Sequence, residues 1–327
     1  MMVMNKTVHT TTNAAIKPTV DTNKRSKILY AVLFAGLCAA PFVGYPIFLM
    51  TCLCFALFAC AFNLLIGFTG LLSFGHAMFF GSAAYICGYA AKVWGLTPEI
   101  SILLGTISAA LLGWVVGWLA VRRQGIYFAM VTLALSQLVY FICVQAPFTG
   151  AEDGMQSIPR GKLFGLIDLG NDIAMYFVVL AFFVFGFWLI YRTIHSPFGQ
   201  VLKSIRENEQ RALSLGYDVD KYKLMAFVIS AALAGMAGAV KSLALGLASL
   251  TDVTWQMSGE VVLMTLLGGM GTILGPVLGA STIITMQNYL SGYGSKVTII
   301  MGVTFVVCVL AFRRGIVGEI EHRLGKK

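Results

Sequence analysis

The chain has 327 residues, 58% of them hydrophobic and only 11% charged, with a mean hydropathy of +0.83 and a formal net charge of +9. That composition excludes an ordinary soluble domain. From Ile28 to Ala91 there are 64 residues without Asp, Glu, Lys or Arg, enough for three spans of about 20 residues, which a soluble core could not hide.

Residues 1–27 are polar, rich in Thr and Asn, and lack an apolar core of the kind a signal peptide needs, so they read as a disordered tail. A transmembrane region follows over 28–312. Its spans fall near 28–47, 49–66, 75–91, 100–121, 126–146, 173–191, 223–249, 259–274, 277–290 and 297–312, and residues 313–327 form a second tail. The fold class is an all-α polytopic membrane protein of about ten helices, some broken or re-entrant. The eighth and ninth spans, on either side of Gly275-Pro276, read either as two helices or as one broken, re-entrant element, since irregular backbone is tolerated in a membrane where protein covers it.

All seven cysteines lie in apolar spans, where they read as small hydrophobic packing. His76 is the single histidine of the apolar part, and alone it reads as a packed or capping residue before a ligand. Two glycine-rich stretches stand out. One runs from Gly67 through Gly70, Ser73, Gly75 and His76 to Gly81; the other runs from Gly268 through Gly269, Gly271, Gly275 and Pro276 to Gly279. Small residues let membrane helices approach closely, and glycine and proline inside short apolar segments mark broken helices that border transport paths. Candidate path residues are therefore Gly70, Ser73, Gly75, His76, Gly269, Gly271, Gly275 and Pro276.

The outer connection 147–172 carries Glu152, Asp153, Asp168 and Asp172 against Arg160 and Lys162. It reads either as a surface for a partner or as a solvated connector. Within 192–223 the chain stops being apolar. Residues 195–223 hold nine of the 37 charged residues. Ser196-Pro197 is an N-cap followed by proline at the first helical position, and Gly216 is the natural residue for a left-handed helix end. Val201, Leu202, Ile205, Ala212 and Leu215 recur at helical spacing, with Lys203, Arg206, Glu207, Glu209 and Arg211 on the other faces. The segment is either one rod of about 28 Å over 197–215 or two helices broken near Asn208. A capped, amphipathic, charged helix of this kind reads either as a docking element for another chain or as an inert surface helix. Lys241 lies inside the seventh span. Its stem is expected to snorkel to the outer interface, or else to line an outer mouth, with Asp252 and Glu260 near enough to pair with it.

With both termini placed in the cytoplasm, the inner face collects 18 of the 23 Lys and Arg, while the 14 acidic residues divide evenly between the faces. That is the positive-inside bias, so topology explains the basic charge and no nucleic acid is needed. The charged helix is then cytoplasmic. The sequence has no G-x-x-x-x-G-K-[ST] run, so any ATP that drives this protein is bound by another chain. Neither the clustered acids of an intramembrane enzyme nor the coupling-ion residues of a secondary transporter are evident.

Five ordered motifs carry a family resemblance: Gly70-Leu-Leu-Ser73-Phe-Gly75-His76-Ala-Met-Phe79-Phe-Gly81, Arg123-Gln-Gly125-Ile-Tyr127-Phe-Ala-Met-Val-Thr132-Leu-Ala134, Thr149-Gly150-Ala-Glu-Asp-Gly154, Arg206-Glu207-Asn208-Glu209-x-Arg211-Ala212-x-x-x-Gly216-Tyr217, and Gly268-Gly269-Met-Gly271-Thr272-x-x-Gly275-Pro276. Over about residues 50–312 the chain resembles the M-type (LivM-like) permease subunit of bacterial branched-chain amino-acid ABC importers. The resemblance implies a type II-importer-like permease fold in the bacterial inner membrane. It implies four sets of partners: a homologous H-type permease, two cytoplasmic ATP-binding subunits, a periplasmic solute-binding protein and membrane lipid. It implies no cofactor of the chain's own and no enzymatic activity. The ATPase-coupling candidates are Arg206, Glu207, Glu209, Arg211, Ala212 and Gly216, in an EAA-like pattern where Gln210-Arg211 stands in place of Glu-Ala. The implied cargo is a branched-chain or other hydrophobic amino acid, with urea or another small amide as the alternative.

Overall fold

A computed structural model describes residues 35–42, 44–165, 167–293 and 315–324, with isolated helical positions between 299 and 310. Two compact units are present, 1–43 and 44–327. Residues 35–42 of the first are helical (α1). The tail 1–27, the start of the expected span 28–47 and most of 297–312 lie outside the described residues.

In the second unit α2 (Pro46–Thr69), α4 (Pro98–Ala120), α5 (Ile126–Gln145), α6 (Asp172–His195) and α9 (Val219–Leu245) are long and apolar enough to cross a membrane. They match the expected spans within a few residues. Shorter helices are α3 (His76–Lys92), α7 (Pro197–Glu207), α8 (Glu209–Ser214), α10 (Trp255–Gly268), α11 (Gly275–Leu290) and α12 (Gly315–Leu324), the last lying where the sequence suggested only a tail.

The centre of the unit is α9, packed against α2, α3, α4 and α6. Its seams are built from small residues, as the spacing predicts. A Cβ on Gly117 would reach Leu224 and Phe227 at 2.7 and 2.9 Å, and one on Gly105 would reach the Ala83 carbonyl at 2.8 Å. At Gly238 the α9 backbone rests on the Phe80 carbonyl of α3. A Gly238→Val variant has nowhere to put its side chain, so the two helices must separate. That over-packing is expected to cost about 3 kcal/mol, read as a lower melting temperature of the detergent-purified protein; Gly259→Val, which meets nothing within 4 Å, is the control. On the periphery, α4 exposes Leu103, Ile107, Leu111, Trp114 and Trp118, and α5 exposes Tyr127, Met130, Leu138 and Phe141. These outward apolar stripes suit lipid or another membrane subunit.

The eighth and ninth expected spans form two antiparallel helices joined by the turn 269–274. α10 and α11 have 14 and 16 residues, about 21 and 24 Å of helix against a hydrocarbon core of about 30 Å. Gly268 lies on Gly275 and Pro276, Gly279 lies on Met264, and Gln287 donates to Glu260 at 3.0 Å. The tip, residues 269–274, turns through positive φ at Gly269 and Gly271.

Two features stand out at the end of the bundle that carries 147–172. First, this segment is tied to the bundle by a short ladder and side-chain bonds. Met155 and Gln156 (β1) pair antiparallel with Ala248 and Leu247 (β4), while Lys162–Leu163 (β2) pairs with Ile167–Asp168 (β3). Arg160 bonds Asp172 at 2.6 Å and the Ala244 carbonyl at 2.8 Å, and Lys92 bonds the Gln156 carbonyl at 2.7 Å. Such short ladders escape a periodicity search because two residues define no period. Second, Lys241 does not snorkel. It is 9% exposed, its ammonium pairs with Asp252, which is 1% exposed, and it lies 5.4 and 5.5 Å from the ring centres of Phe55 and Phe80. A carboxylate delivered by the 250–252 turn makes burial cheaper than reaching for the interface.

Candidate functional site

The opposite end of the bundle carries the charged segment. Ser196 caps α7 by accepting the Gly199 N–H at 3.3 Å, with Pro197 at the first helical position. The helix breaks at Asn208, whose extended backbone (φ −159°) ends α7 and whose side chain accepts the Arg211 N–H at 3.0 Å to start α8. So the segment takes the two-helix form. α8 closes with a paired turn: the Tyr217 N–H reaches the Ala212 carbonyl at 3.2 Å and the Gly216 N–H reaches Leu213 at 2.9 Å. Gly216, at φ +86°, supplies the left-handed residue that this ending requires.

Ile205, Ala212 and Val219 form a small core of their own, joined by Val201 and Tyr222. Phe198 stacks on Tyr222 at 5.6 Å, and Tyr217 meets the same ring edge-on at 5.9 Å. Leu215, expected in the buried stripe, is 68% exposed. The break at Asn208 resets the helical phase, so a stripe counted through it fails after Ala212. Exposed at this corner are Arg206, Glu207, Arg211, Leu213, Leu215, Gly216 and Tyr217, among others.

Two of the coupling candidates are held within the chain. Glu209 accepts from Gln124 at 2.9 Å and pairs at 2.7 Å with Lys223, a lysine 3% exposed at the base of α9. Arg206 reaches from α7 to α2, where its Nη1 donates to the Gly67 carbonyl. That oxygen is one of the last four of the helix, which have no intrahelical donor, and a cation there also opposes the negative helix end. Next along the chain, Asp218 caps α9 and pairs with Lys221 at 2.7 Å, a bond that holds its carboxyl below the usual range.

The glycine-rich stretches separate into two sites. Residues 70–75 are not helical, and α3 starts at His76 inside the bundle. His76 Nε2 lies 2.8 Å from Ser230, which itself donates to the Ala61 carbonyl, eight residues or about 12 Å before the end of α2. The chain is thus non-helical inside the bundle between α2 and α3. The N–H groups there find side chains, two of them from other helices and one from the segment itself. Phe74 donates to Thr132 at 3.3 Å, Gly75 to Ser73 at 3.2 Å and Ala77 to Ser258 at 3.0 Å. His76 is fully buried and meets Phe62, Phe79 and Phe227 edge-on, as a packed histidine would. Ser73 is buried as well, while Gly70 faces outward at φ +76°.

The second stretch, the hairpin tip with Gly269, Gly271, Gly275 and Pro276, comes against α2. Asn63 Nδ2 donates to the Thr272 carbonyl at 2.8 Å, and its Oδ1 accepts the Gly271 N–H at 3.0 Å. Asn63, Thr132 and Ser258 were not among the sequence candidates. Asn63 did leave a signal, as the single amide in the uncharged run 28–91, and an amide there must find partners. On the far side, a recess of about 140 Å³ lies between α5 and the start of α10, lined by Gln137, Tyr140, Thr254, Trp255 and Gln256.

Long apolar helices, two helix breaks and a capped charged corner at one end define a multi-pass membrane permease. The chain belongs to the family described as branched-chain amino acid transport system / permease component, which matches residues 45–312. It is similar to the high-affinity branched-chain amino acid transport system permease protein LivM of Escherichia coli (strain K12), 27% identical over 81% of this chain and 68% of that one. The LivM protein of Salmonella typhimurium matches with the same identity and coverage. The ribose import permease protein RbsC of Bacillus subtilis (strain 168) is 28% identical over 71% of this chain and 73% of its own. No solved structure matches.

Proposed function

We propose that the chain is one of two permease subunits of an ATP-driven importer in a bacterial inner membrane. The folded, outward-facing corner of α7 and α8 carries this reading. A surface that presents Leu213, Leu215 and Tyr217 beside Arg211 and Glu207, on a helix pair with its own small core, suits insertion into a protein cleft. Separate cytoplasmic ATPases fill that role, one on each permease. ATP is bound there, and this chain needs no cofactor. The apolar stripes of α4 and α5 leave room for a homologous H-type permease and for lipid. The tied loop 147–172 faces the periplasm, where a solute-binding protein delivers cargo. Both termini lie in the cytoplasm. The cargo is a branched-chain or other hydrophobic amino acid, in keeping with the LivM relatives.

Leu215→Glu puts a charge where the cleft would close and touches nothing in the small core. Co-expressed with its ATPase and permease partners, this variant is expected to lose most ATPase co-purification while melting like the parent chain. Wild-type uptake of leucine into proteoliposomes should require the ATPase subunits. Uptake that proceeds without them would replace this reading with a stand-alone secondary transporter.

A further inference from the structure

Arg206 belongs to the charged segment and is exposed, yet its guanidinium reaches back to α2. It donates to the Gly67 carbonyl of α2 and sits 3.2 Å from where a Cβ on Gly271 would stand, while its own Cγ covers Gly70 at 3.3 Å by the same measure. One side chain therefore touches both glycine-rich stretches, which lie about 200 residues apart in sequence. Directly behind it, the Asn63 side chain spends its donor and its acceptor on Thr272 and Gly271. The close approach is obligatory: a Cβ on Gly67 would stand 2.8 Å from the Gly271 N–H.

We infer that Arg206 and Asn63 are positioning residues that transmit movement of α7 to the hairpin tip 269–274 and to the entry of the 70–75 segment. The inference rests on the reading of α7–α8 as the ATPase-facing element. Every step is a direct contact. α7 cannot shift along α2 without carrying the guanidinium, and the guanidinium cannot leave without stranding the Gly67 carbonyl and exposing the back of the tip. Asn63 keeps the tip in register with α2, so a pull on one is felt by the other. Packed elements of this kind switch between discrete arrangements instead of deforming smoothly.

The test uses the assembled wild-type and Arg206→Met complexes in proteoliposomes, with Arg206→Lys as the conservative variant. Arg206→Met is expected to keep its ATPase subunits, and leucine imported per ATP hydrolysed should fall about tenfold, within the usual range of coupling between sites. Hydrogen exchange over 269–274 should change on adding ATP in the wild type and stay unchanged in Arg206→Met. Lysine, which can still donate to Gly67, should restore part of both signals. An Arg206→Met complex with wild-type coupling and a wild-type exchange response would overturn the link. Loss of ATPase binding in Arg206→Met would also overturn it, by making Arg206 a partner contact. A wild-type permease that recruits no ATPase would overturn the proposed function and the link together.

Discussion

Asp252→Leu is expected to give the largest loss of stability of any single change in the half of the bundle carrying 147–172. The substitution leaves the Lys241 ammonium, 9% exposed and deep in the helical bundle, without its counter-charge. Removing one partner of a buried pair typically costs about 3–5 kcal/mol, because the remaining charge is buried and unpaired. The neighbouring rings of Phe55 and Phe80 offset part of this, since a cation within about 6 Å of aromatic ring centres retains some attraction. The damage should spread. Asp252 closes the turn that positions α10 and lies beside β4, which pairs with β1 of the 147–172 loop. Melting in detergent should therefore broaden and fall, and protease cutting should begin within 147–172. Lys241→Met in the same chain removes the stranded charge and fills its place with an apolar stem. The double variant is expected to recover most of the lost stability, which double-mutant analysis would report as strong coupling. An Asp252→Leu protein that melts like the parent would show the pair to be dispensable.

The history of this pair also shows what the sequence could and could not carry. Periodicity and hydropathy act over one helix at a time, so α2, α4, α5, α6 and α9 were legible within a few residues. Caps are local too, and Ser196, Pro197 and Gly216 could be read directly. Leu215 was misread because Asn208 ends one helix and starts the next, and a stripe counted across that break takes the wrong phase. Lys241 was misread for the opposite reason. Snorkelling is the rule for a lysine on a lone helix. Asp252 is a candidate partner by sequence distance, but only the folded 250–252 turn sets it beside the buried ammonium in preference to Glu260. The convergence of Arg206, Asn63 and Gly271 was further still from view. Each residue has an ordinary local reading, and only the return of the hairpin to α2 gives them a shared site.

The last prediction concerns the ion pair that holds α8 to the bundle, where the two partners should not be equivalent. Lys223 is 3% exposed and Glu209 keeps a quarter of its side chain in solvent. Glu209→Gln therefore leaves a buried ammonium with only a neutral amide beside it, while Lys223→Met leaves a partly solvated carboxylate that Gln124 can still serve at 2.9 Å. The glutamine variant is expected to be the worse of the two, by about 2 kcal/mol once partial solvation of the pair is allowed for. Its effect should be local first. Glu209 is the first residue of α8, so losing its tether frees the turn that presents Leu213, Leu215 and Tyr217. ATPase recruitment should weaken in Glu209→Gln at temperatures where the transmembrane helices remain folded, and Lys223→Met in the same chain should return it. Equal losses from the two single variants would mean that the pair acts as a solvated surface bridge, and would remove the physical reason for treating α8 as a rigid docking element.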